Sequence, residues 1–574
     1  MLPVVLLGAS LLTACTNTPP PPLVGKSAPS SAPVSAGANS ALISMSDVQG
    51  GFNPHLLADR STITTALSTL LLPSVFRPAA DGAPQLDTSV MRSAEVTGTQ
   101  PFTVTYTLRT DASWSDGVPV AAEDFVYLRE QMDSQPGVVH PAGYRLISDV
   151  TSAQNGKVVK VTFAKPYPGW RSLFSDLLPA HLLKDAPGGW NAGMRENFPA
   201  VAGPFMVKQA DLDRGMITLQ RSERYWATPS VLDGLVFRES DNANAVRSLR
   251  SGDSQLASLP ADEPVRRALD SLGGGAGSDV RVSTVYRPDV AELLLRQQTP
   301  QLSDIRVRRA VAFALDRESL ISDMVGGDVA QRLRTDAMVT APSQQDYTPT
   351  MPADAPGAKR DLRSTAELLR AAGYQRGVDG WAKDGTPLRL VIAAPNGEGP
   401  YVALARLVSK QLGEAGIGTT VITPDPDVLF GERLSSTAPS ASGTASRSAG
   451  GAANAPVDIL LAPRPVGGDL AATLAAFYGC PQTPPNTTTA APGNPAGFCD
   501  EDLQPTIDAA LTGEMSVHAA LAEVEPVLWR RAVAMPLFQL ADQVAVNSSV
   551  TGVDLAPELY GPFPSASLWH RRPS

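Results

Sequence analysis

The stretch Trp114-Ser-Asp-Gly-Val-Pro-Val-Ala-Ala-Glu-Asp-Phe125 joins a predicted strand to a predicted helix. On its N-terminal side, residues 102–108 (FTVTYTL) alternate between apolar and polar, which predicts a half-buried strand. Asp116-Gly117 supplies the turn. On its C-terminal side, apolar residues at helical spacing predict a helix over 121–132, with Asp124 in the first turn, where a carboxylate suits the helix dipole. The stretch is therefore expected to serve structure.

The same kind of reading predicts elements farther along the chain. Alternation over 159–163 indicates a second strand, and apolar spacing over 307–315 indicates a helix. The run Ser364-Thr-Ala-Glu367 has the pattern of a capping box that opens a helix. Strand 388–392, helix 401–415 and strand 419–422 form a predicted βαβ unit, which implies parallel strands and a right-handed crossover.

Length and composition set limits on the architecture. A chain of 574 residues, 43% of them hydrophobic, exceeds the size of a single core, so two or three domains are expected. The formal net charge of -10 and a charged fraction of 18% argue against a nucleic-acid partner. The low-complexity stretch 435–456 is predicted to be a disordered insertion, with a partner-binding tail as the alternative.

The N-terminal segment has the features of an export signal. Residues 1–14 are mostly apolar, too few to span a bilayer, and end in small residues before Cys15. Leu12-Thr-Ala-Cys15 resembles the bacterial lipobox, whose cysteine is lipidated. Residues 15–39 then serve as lipid anchor and flexible tether, which places the protein on the extracytoplasmic face of the cell membrane. The alternative is an apolar helix with a buried cysteine.

Two further cysteines, Cys480 and Cys499, flank a loop rich in Pro, Thr, Ala and Gly. In an exported chain such an even pair predicts a disulfide, which would stabilise the fold by about 3 kcal/mol in the chain-entropy model. No set of His and carboxylate residues stands beside them at the spacing of metal ligands, so no metal site is expected. The sequence also lacks the common catalytic and nucleotide-binding motifs, so we expect that the protein is not an enzyme and has no cofactor.

The opening stretch closely resembles the signature of the family 5 solute-binding proteins, the peptide- and nickel-binding components of ABC importers. Within it Trp114, Asp116, Gly117 and Asp124 have structural roles and do not form a ligand site. Further matches follow in the family's order: Gly203-Pro-Phe205, Tyr225-Trp226, Asp304–Ala310 and Ala371–Tyr374.

The resemblance implies an α/β, periplasmic-binding-protein-like fold of type II, cluster C: two lobes, an extra accessory domain and a ligand cleft that closes by hinge motion. Its expected boundaries are first lobe 40–78, 200–296 and 540–574, accessory domain 79–199, and second lobe 297–539.

Within this family the chain is similar to mycobacterial lipoproteins linked to phosphatidylinositol mannoside and lipoarabinomannan biosynthesis. The residues that carry this likeness are Gly51–Leu57, Leu72–Pro78, Gln135–Val139, Pro166–Arg171, Pro179–His181 and Tyr478–Pro481.

One departure from the family concerns the ligand. Peptide-binding members carry a Trp-x-x-Asp-Tyr-like run whose Asp pairs with the peptide α-ammonium, whereas residues 458–469 here lack the Trp and the Asp-Tyr pair. Asp469 is the available substitute, and Arg464 suits a phosphate or carboxylate, with a solvated loop arginine as the alternative. Phe52 and Asn53 are the candidate cleft residues of the first lobe.

The favoured hypothesis is a tethered protein that binds or senses a mannosylated phosphatidylinositol intermediate of cell-envelope lipoglycan synthesis, beside a glycolipid-synthesis membrane protein. The alternative is an oligopeptide receptor that delivers its ligand to an ABC permease. A third is a scaffold with a vestigial cleft.

Overall fold

The computed structural model describes residues 39–48, 50–273, 279–397, 399–434, 456–481, 494–556 and 559–572. The predicted signal peptide, Cys15, all but the last residue of the tether and all but the last residue of the predicted insertion lie outside these ranges.

The strands of the described residues are, in chain order, β1 (Ser40–Met45), β2 (Phe76–Pro78), β3 (Pro84–Leu86), β4 (Met91–Thr99), β5 (Phe102–Leu108), β6 (Ile147–Ala153), β7 (Val158–Phe163), β8 (Phe205–Asp211), β9 (Met216–Arg221), β10 (Gly234–Glu239), β11 (Leu256–Pro260), β12 (Val280–Leu295), β13 (Gln375–Gly377), β14 (Gly380–Lys383), β15 (Thr386–Pro387), β16 (Arg389–Ala393), β17 (Gly418–Ile422), β18 (Ile459–Pro465), β19 (Ala534–Asn547), β20 (Val550–Thr551) and β21 (His570–Arg571).

The α-helices of the same residues are α1 (Thr62–Leu71), α2 (Ala122–Ser134), α3 (Ala142–Arg145), α4 (Ala180–Leu183), α5 (Gly189–Ala192), α6 (Asn242–Ser251), α7 (Glu263–Gly273), α8 (Ile305–Ala314), α9 (Arg317–Met324), α10 (Gly327–Leu333), α11 (Leu362–Ala371), α12 (Tyr401–Glu414), α13 (Leu470–Tyr478), α14 (Gln504–Thr512) and α15 (Val517–Arg530). Short 3₁₀ helices occupy Leu57–Asp59, Pro168–Ser172, Leu212–Arg214 and Phe563–Leu568, and a π-helix occupies Val428–Arg433. None of the helices in the described residues has the length and apolarity needed to cross a bilayer.

A long curled sheet organises the molecule, with strand order β17-β16-β18-β12-β19-β11-β1-β10-β9-β8. We call β1 and β8–β11 the first-lobe strands and β16–β18 the second-lobe strands. The two long strands between them, β12 and β19, pair antiparallel and are the crossing strands. Every residue of β19 is buried, because both faces of this strand are covered.

A separate antiparallel sheet, β4-β5-β7-β6, forms the accessory sheet. Its strand β5 coincides with the predicted strand 102–108, and β7 with the predicted strand around 159–163. Helix α2 packs against this sheet through Phe125 and Leu128, which are fully buried. The alternation read from the sequence therefore gives the buried face correctly.

The signature stretch forms the predicted turn between β5 and α2. Gly117 has φ +95°, a conformation that favours glycine, and the amide of Trp114 donates to the carbonyl of Val118 at 2.7 Å. Asp124 is buried; its Oδ2 accepts from the amide of Ala121 at 3.0 Å and from the indole Nε1 of Trp114 at 3.2 Å. Burial raises the pKa of Asp124 to about 6. One carboxylate thus caps the helix and fixes the tryptophan.

In the second lobe the predicted βαβ unit is confirmed. Strands β16 and β17 pair in parallel, and α12 connects them. Helix α8 corresponds to the predicted helix over 307–315. The capping box at Ser364 is wrong: α11 begins at Leu362, and Asp361 is the residue that caps it, accepting from the amide of Ser364 at 3.1 Å. Asp361 caps the helix in place of Ser364 because a charged acceptor makes the stronger hydrogen bond to the helix N-terminus.

Candidate functional site

Arg60 connects the first lobe to a crossing strand. Its Nε lies 2.7 Å from Oδ1 of Asp289, and its Nη2 donates to the carbonyl of Pro288 at 3.0 Å. Asp289 stands where the pairing of β12 with β19 changes register, between Tyr286 and Val290. Both charged side chains are largely buried, at 14% and 6% exposure, so the ion pair is only weakly screened by solvent.

Arg464 lies on β18 and is completely enclosed. Its Nη1 donates to the carbonyl of Val339 at 2.6 Å, and its Nε is 3.5 Å from Oε2 of Glu292 on β12. The hydroxyl of Tyr478 donates to the other oxygen of Glu292 at 2.9 Å. Burial raises the pKa of Glu292 to about 7, although the charge of Arg464 opposes that shift.

A second buried carboxylate, Glu525 on α15, completes this cluster. It accepts from the amide of Val339 at 3.0 Å and from the hydroxyl of Thr350. Burial raises its pKa, and the charge of Arg464 opposes the shift, as it does for Glu292. One guanidinium therefore lies among two carboxylates that are both shielded from water, and its removal would leave each of them without its cation.

His140 approaches the same place from the accessory domain. Burial, reinforced by the positive charges of Arg60 and Arg464, lowers the pKa of His140 to about 3. Its Nδ1 is 3.4 Å from Oγ1 of Thr473 on α13. The ring is therefore neutral at physiological pH. We call Arg60, His140, Asp289, Glu292 and Arg464 the arginine junction, because it brings distant segments of the chain together around two guanidinium groups.

Asp469 lies at the edge of the junction as the N-cap of α13. Its Oδ1 accepts from the amide of Ala471 at 2.9 Å, while its Oδ2 is buried beside Gly169 and Tyr167 of the accessory domain. A Cβ at Gly169 would come within 1.9 Å of that oxygen, so only glycine allows this approach. The carboxylate is half-buried and its orientation is set by the helix it caps.

Phe52 and Asn53 are placed elsewhere in the first lobe. Phe52 stacks on Phe198 with ring centroids 5.5 Å apart, and the Asn53 side chain donates to the carbonyl of Trp190 at 3.0 Å. Both residues are buried. These bonds fasten the loop after β1 to residues 189–198, and no contact of the described residues joins the two side chains to Arg464 or Asp469.

The remaining sequence-derived positions have structural surroundings. Asp116 accepts from Nε2 of His181 at 2.6 Å, so the signature turn is tied to the start of α4. Cys480 and Cys499 form a disulfide just beyond α13. Among the described residues no group of three or more His, Cys, Asp or Glu side chains is arranged to hold a metal ion.

Sequence reasoning did not identify Arg60, His140, Asp289 or Glu292. Glu292 carried a usable signal, because it is a lone carboxylate within the apolar run Ala291–Leu295, and such a charge is expected to have a buried partner. No sequence signal marks Arg60, His140 or Asp289, because these residues come together only through the packing of distant segments.

A large cavity of about 1160 Å³ lies apart from the arginine junction, also between distant segments of the chain. We call it the outer cavity. The residues that line it are Asp47, Gly50, Gly51, Ala58, Asp59, 195–197, 209–213, Asn396, Gly397 and 425–427. A much smaller cavity of about 30 Å³ lies beside Asp289 and Tyr560.

Comparisons with known proteins agree on one family and one fold. The sequence model of the bacterial extracellular solute-binding proteins, family 5 Middle, matches residues 90–459. The probable monoacyl phosphatidylinositol tetramannoside-binding protein LpqW of Mycobacterium tuberculosis is 34% identical, over 96% of this chain and 94% of that protein.

Two solved structures show the same architecture. The periplasmic EDTA-binding protein EppA superimposes with a TM-score of 0.70 at 21% identity, covering 94% of this chain and 97% of its own. The oligopeptide-binding protein AppA of Bacillus subtilis, in complex with a nonapeptide, gives 0.71 at 15% identity, covering 94% and 100%. The expected two-lobe, periplasmic-binding-protein-like fold is thereby confirmed.

Proposed function

The chain belongs to the family 5 extracellular solute-binding proteins, and from that premise we propose that it binds a mannosylated phosphatidylinositol intermediate of lipoglycan synthesis at the outer face of the membrane. The observation that carries the proposal is the end-to-end similarity to a protein named for binding a phosphatidylinositol tetramannoside. Similarity over 96% of the chain includes both lobes and the accessory domain, which together form the boundary where a solute would bind.

The surroundings of Asp469 support a ligand without a free ammonium group. A buried α-ammonium needs a carboxylate partner, since an unpaired buried charge costs several kcal/mol. Asp469 is the carboxylate nearest the position expected from the family, and it is engaged in capping α13. The guanidinium groups of Arg60 and Arg464 are suited to a phosphate, which they can bind through two parallel hydrogen bonds.

Ligand contact requires the lobes to separate. Phe52, Asn53 and Arg464 are buried in the arrangement seen, and Asp469 is half-buried. We propose that opening at the arginine junction exposes Arg464 and Asp469 on one side, and that Phe52 and Asn53 border the opposite wall. Ligand binding then favours the closed form only if the ligand contacts both walls.

An oligopeptide receptor of an ABC importer is the second candidate. The superposition on AppA in complex with a nonapeptide favours it, because that match covers 94% of the chain. In this case an ABC permease would be the membrane partner.

Binding to defined ligands separates these candidates. Full-length protein in detergent is incubated with monoacyl phosphatidylinositol tetramannoside, phosphatidylinositol or a nonapeptide, and thermal unfolding is measured. We expect only the mannosylated lipid to raise the midpoint, and Arg60→Gln to reduce the shift while Arg109→Gln, in an exposed pair, does not. A shift with the peptide alone would support the importer receptor, and no shift with any ligand would support a scaffold.

We further propose that Cys15 is the lipid-modified residue that anchors the chain. Fractionation of cells that express Cys15→Ser tests this directly. The variant is expected in the soluble extracytoplasmic fraction and the parent protein in the membrane fraction, because two or more acyl chains are needed for stable anchoring. Membrane retention of the variant would contradict the assignment.

A further inference from the structure

Residues 559–563, near the C-terminus, connect the two sets of sheet strands, and we call them the strap. The Leu559 side chain packs against Val466, which directly follows second-lobe strand β18. The Phe563 ring lies 5.6 Å, between centroids, from the ring of Phe237 on first-lobe strand β10. All five residues of the strap line the smaller of the two cavities described above, beside the crossing strands. The strap therefore joins the first-lobe strands to the second-lobe strands next to the arginine junction.

Leu559 occupies an apolar socket made of three buried residues, Val290, Ala341 and Val466. These residues come from β12, from the loop after α10 and from the end of β18, so the socket exists only where the three segments meet. Gly467 makes room for the leucine, since a Cβ at that position would lie 3.3 Å from Cδ1 of Leu559. Its φ of +97° also favours glycine.

The socket shares its backbone with the arginine junction. Val290 directly follows Asp289, the partner of Arg60. The amide of Val466 donates to the carbonyl of Pro288 at 2.9 Å, and the same carbonyl accepts from Nη2 of Arg60 at 3.0 Å. The leucine contact and the ion pair therefore lie side by side, and both resist separation of the strands that they join.

The end of the strap at Phe563 is firmly anchored. Phe563 begins a 3₁₀ helix, Phe563–Leu568, and is itself buried. The carbonyl of Ser567 accepts from the amide of Val231 at 3.0 Å, and Trp569 is fully buried. These contacts hold this end to the side of the first-lobe strands.

The end at Leu559 is held differently. Between described residues, no hydrogen bond involves the backbone of Leu559, Tyr560 or Gly561. Leu559 has φ +74°, a left-handed conformation that leucine rarely adopts and that persists only while surrounding contacts compensate for it. Its half-buried side chain in the socket provides such a contact. Of the two ends, this one is the end that can be released.

We propose that the strap holds the ligand-free protein closed, and that Leu559 must leave its socket before the lobes separate and admit a ligand. The inference rests on the proposed function in one respect, namely that the ligand enters by opening at the arginine junction. Only the fraction of molecules with an empty socket is then competent to bind, so the strap lowers the apparent affinity and slows association.

Distances between two spin labels, measured by double electron–electron resonance in the full-length chain, test the proposal. The labels are placed at Arg250→Cys on α6, which packs against β11, and at Lys410→Cys on α12, which packs against β16. Both positions are exposed. Cys15→Ser removes the one other free thiol, because the remaining two cysteines of the sequence form the disulfide.

Without any ligand, Leu559→Ala should increase the population with the longer, open distance about tenfold, as expected for loss of a half-buried leucine side chain. Leu559→Gly removes the same contact and suits the left-handed backbone, so it should have the same effect even if the alanine variant folds poorly. Leu559→Met keeps a long apolar side chain and should resemble the parent. The matched control is Leu568→Ala, the same change at a leucine that is 57% exposed in the 3₁₀ helix, which should leave the distances unchanged.

Distance distributions identical to the parent's in both Leu559→Ala and Leu559→Gly would overturn the proposal. An equal shift in Leu568→Ala would also overturn it, because it would show general loosening of the C-terminal segment. Since no ligand is present, these outcomes are independent of whether the mannosylated lipid binds. Conversely, failure of that lipid to bind would leave the measured effect of Leu559 unaltered.

Discussion

At the scale of single residues, the most informative side chain is Arg464. Its sequence context suggested a ligand contact, and in the arrangement seen it lies among Glu292 and Glu525, which are 172 and 61 positions away in the sequence. No local sequence pattern indicates that these three residues are close together, because they belong to β18, β12 and α15 and meet only through tertiary packing. The alternative interpretation, a solvated loop arginine, is wrong, because Arg464 lies on strand β18 and is fully buried.

Substitution Arg464→Met should destabilise the protein by about 3–5 kcal/mol, because it leaves two buried carboxylates without their cation. Urea unfolding followed by circular dichroism gives the free energy of unfolding. The control is Arg109→Gln, whose pair with Asp111 is exposed and screened by solvent, so its free energy of unfolding should stay close to that of the parent protein. Adding Glu292→Gln to Arg464→Met should recover part of the loss. A fully stable Arg464→Met variant would show that the pair contributes nothing.

His140 should make stability depend on pH. Its pKa is about 3 in the folded protein and about 6.5 when unfolded, so the unfolded chain binds the extra proton between these values. The stability contributed by the neutral ring is present above pH 6.5 and is lost as the pH falls toward 3. Relative to His140→Gln, the parent protein should lose up to about 1 kcal/mol between pH 6 and pH 5. Parallel stability curves for the two proteins would refute this assignment.

At the scale of elements, the signature stretch was predicted well because its determinants are local. The turn glycine, the first turn of the helix and the buried tryptophan all lie within twelve residues, so spacing alone specifies them. The start of α11 was missed by a few residues, since Asp361 and Ser364 both fit a capping position and only the competition between them decides. Element boundaries are set by such small differences in hydrogen-bond strength.

Asp124→Ala should destabilise the accessory domain by about 2–3 kcal/mol, because it removes the cap of α2 and leaves the amides of Ala121 and Ala180 without an acceptor. Thermal unfolding monitored by circular dichroism gives the change in stability. Asp124→Asn retains one acceptor oxygen and should recover about half of the loss. Glu123→Gln, an exposed neighbour, should change the stability by no more than about 0.5 kcal/mol.

At the scale of the whole molecule, the two-lobe fold followed from resemblance, whereas the contacts between the lobes did not. Arg60 gives no sign in the sequence that it will meet Asp289 at the register shift of β12. Residues that join separate lobes are placed by the assembly of the complete sheet, and the sequence near each of them describes only its own segment.

Arg60→Gln should shift the protein toward an open form. Loss of the ion pair with Asp289 is expected to cost the closed form about 2 kcal/mol, roughly a thirtyfold change in the ratio of closed to open molecules. Small-angle X-ray scattering of the ligand-free protein should then give a larger radius of gyration than the parent. An unchanged radius would mean that other contacts between the lobes determine closure.

The sheet has a consequence for how the protein is made. First-lobe strand β11 pairs with β19, whose residues end at Asn547, so the centre of a domain that begins at residue 40 stays incomplete until almost the entire chain has been synthesised. An export channel that threads extended polypeptide would receive a chain that has not yet been able to lock into its final form. The late synthesis of β19 would thereby keep the chain unfolded and competent for translocation.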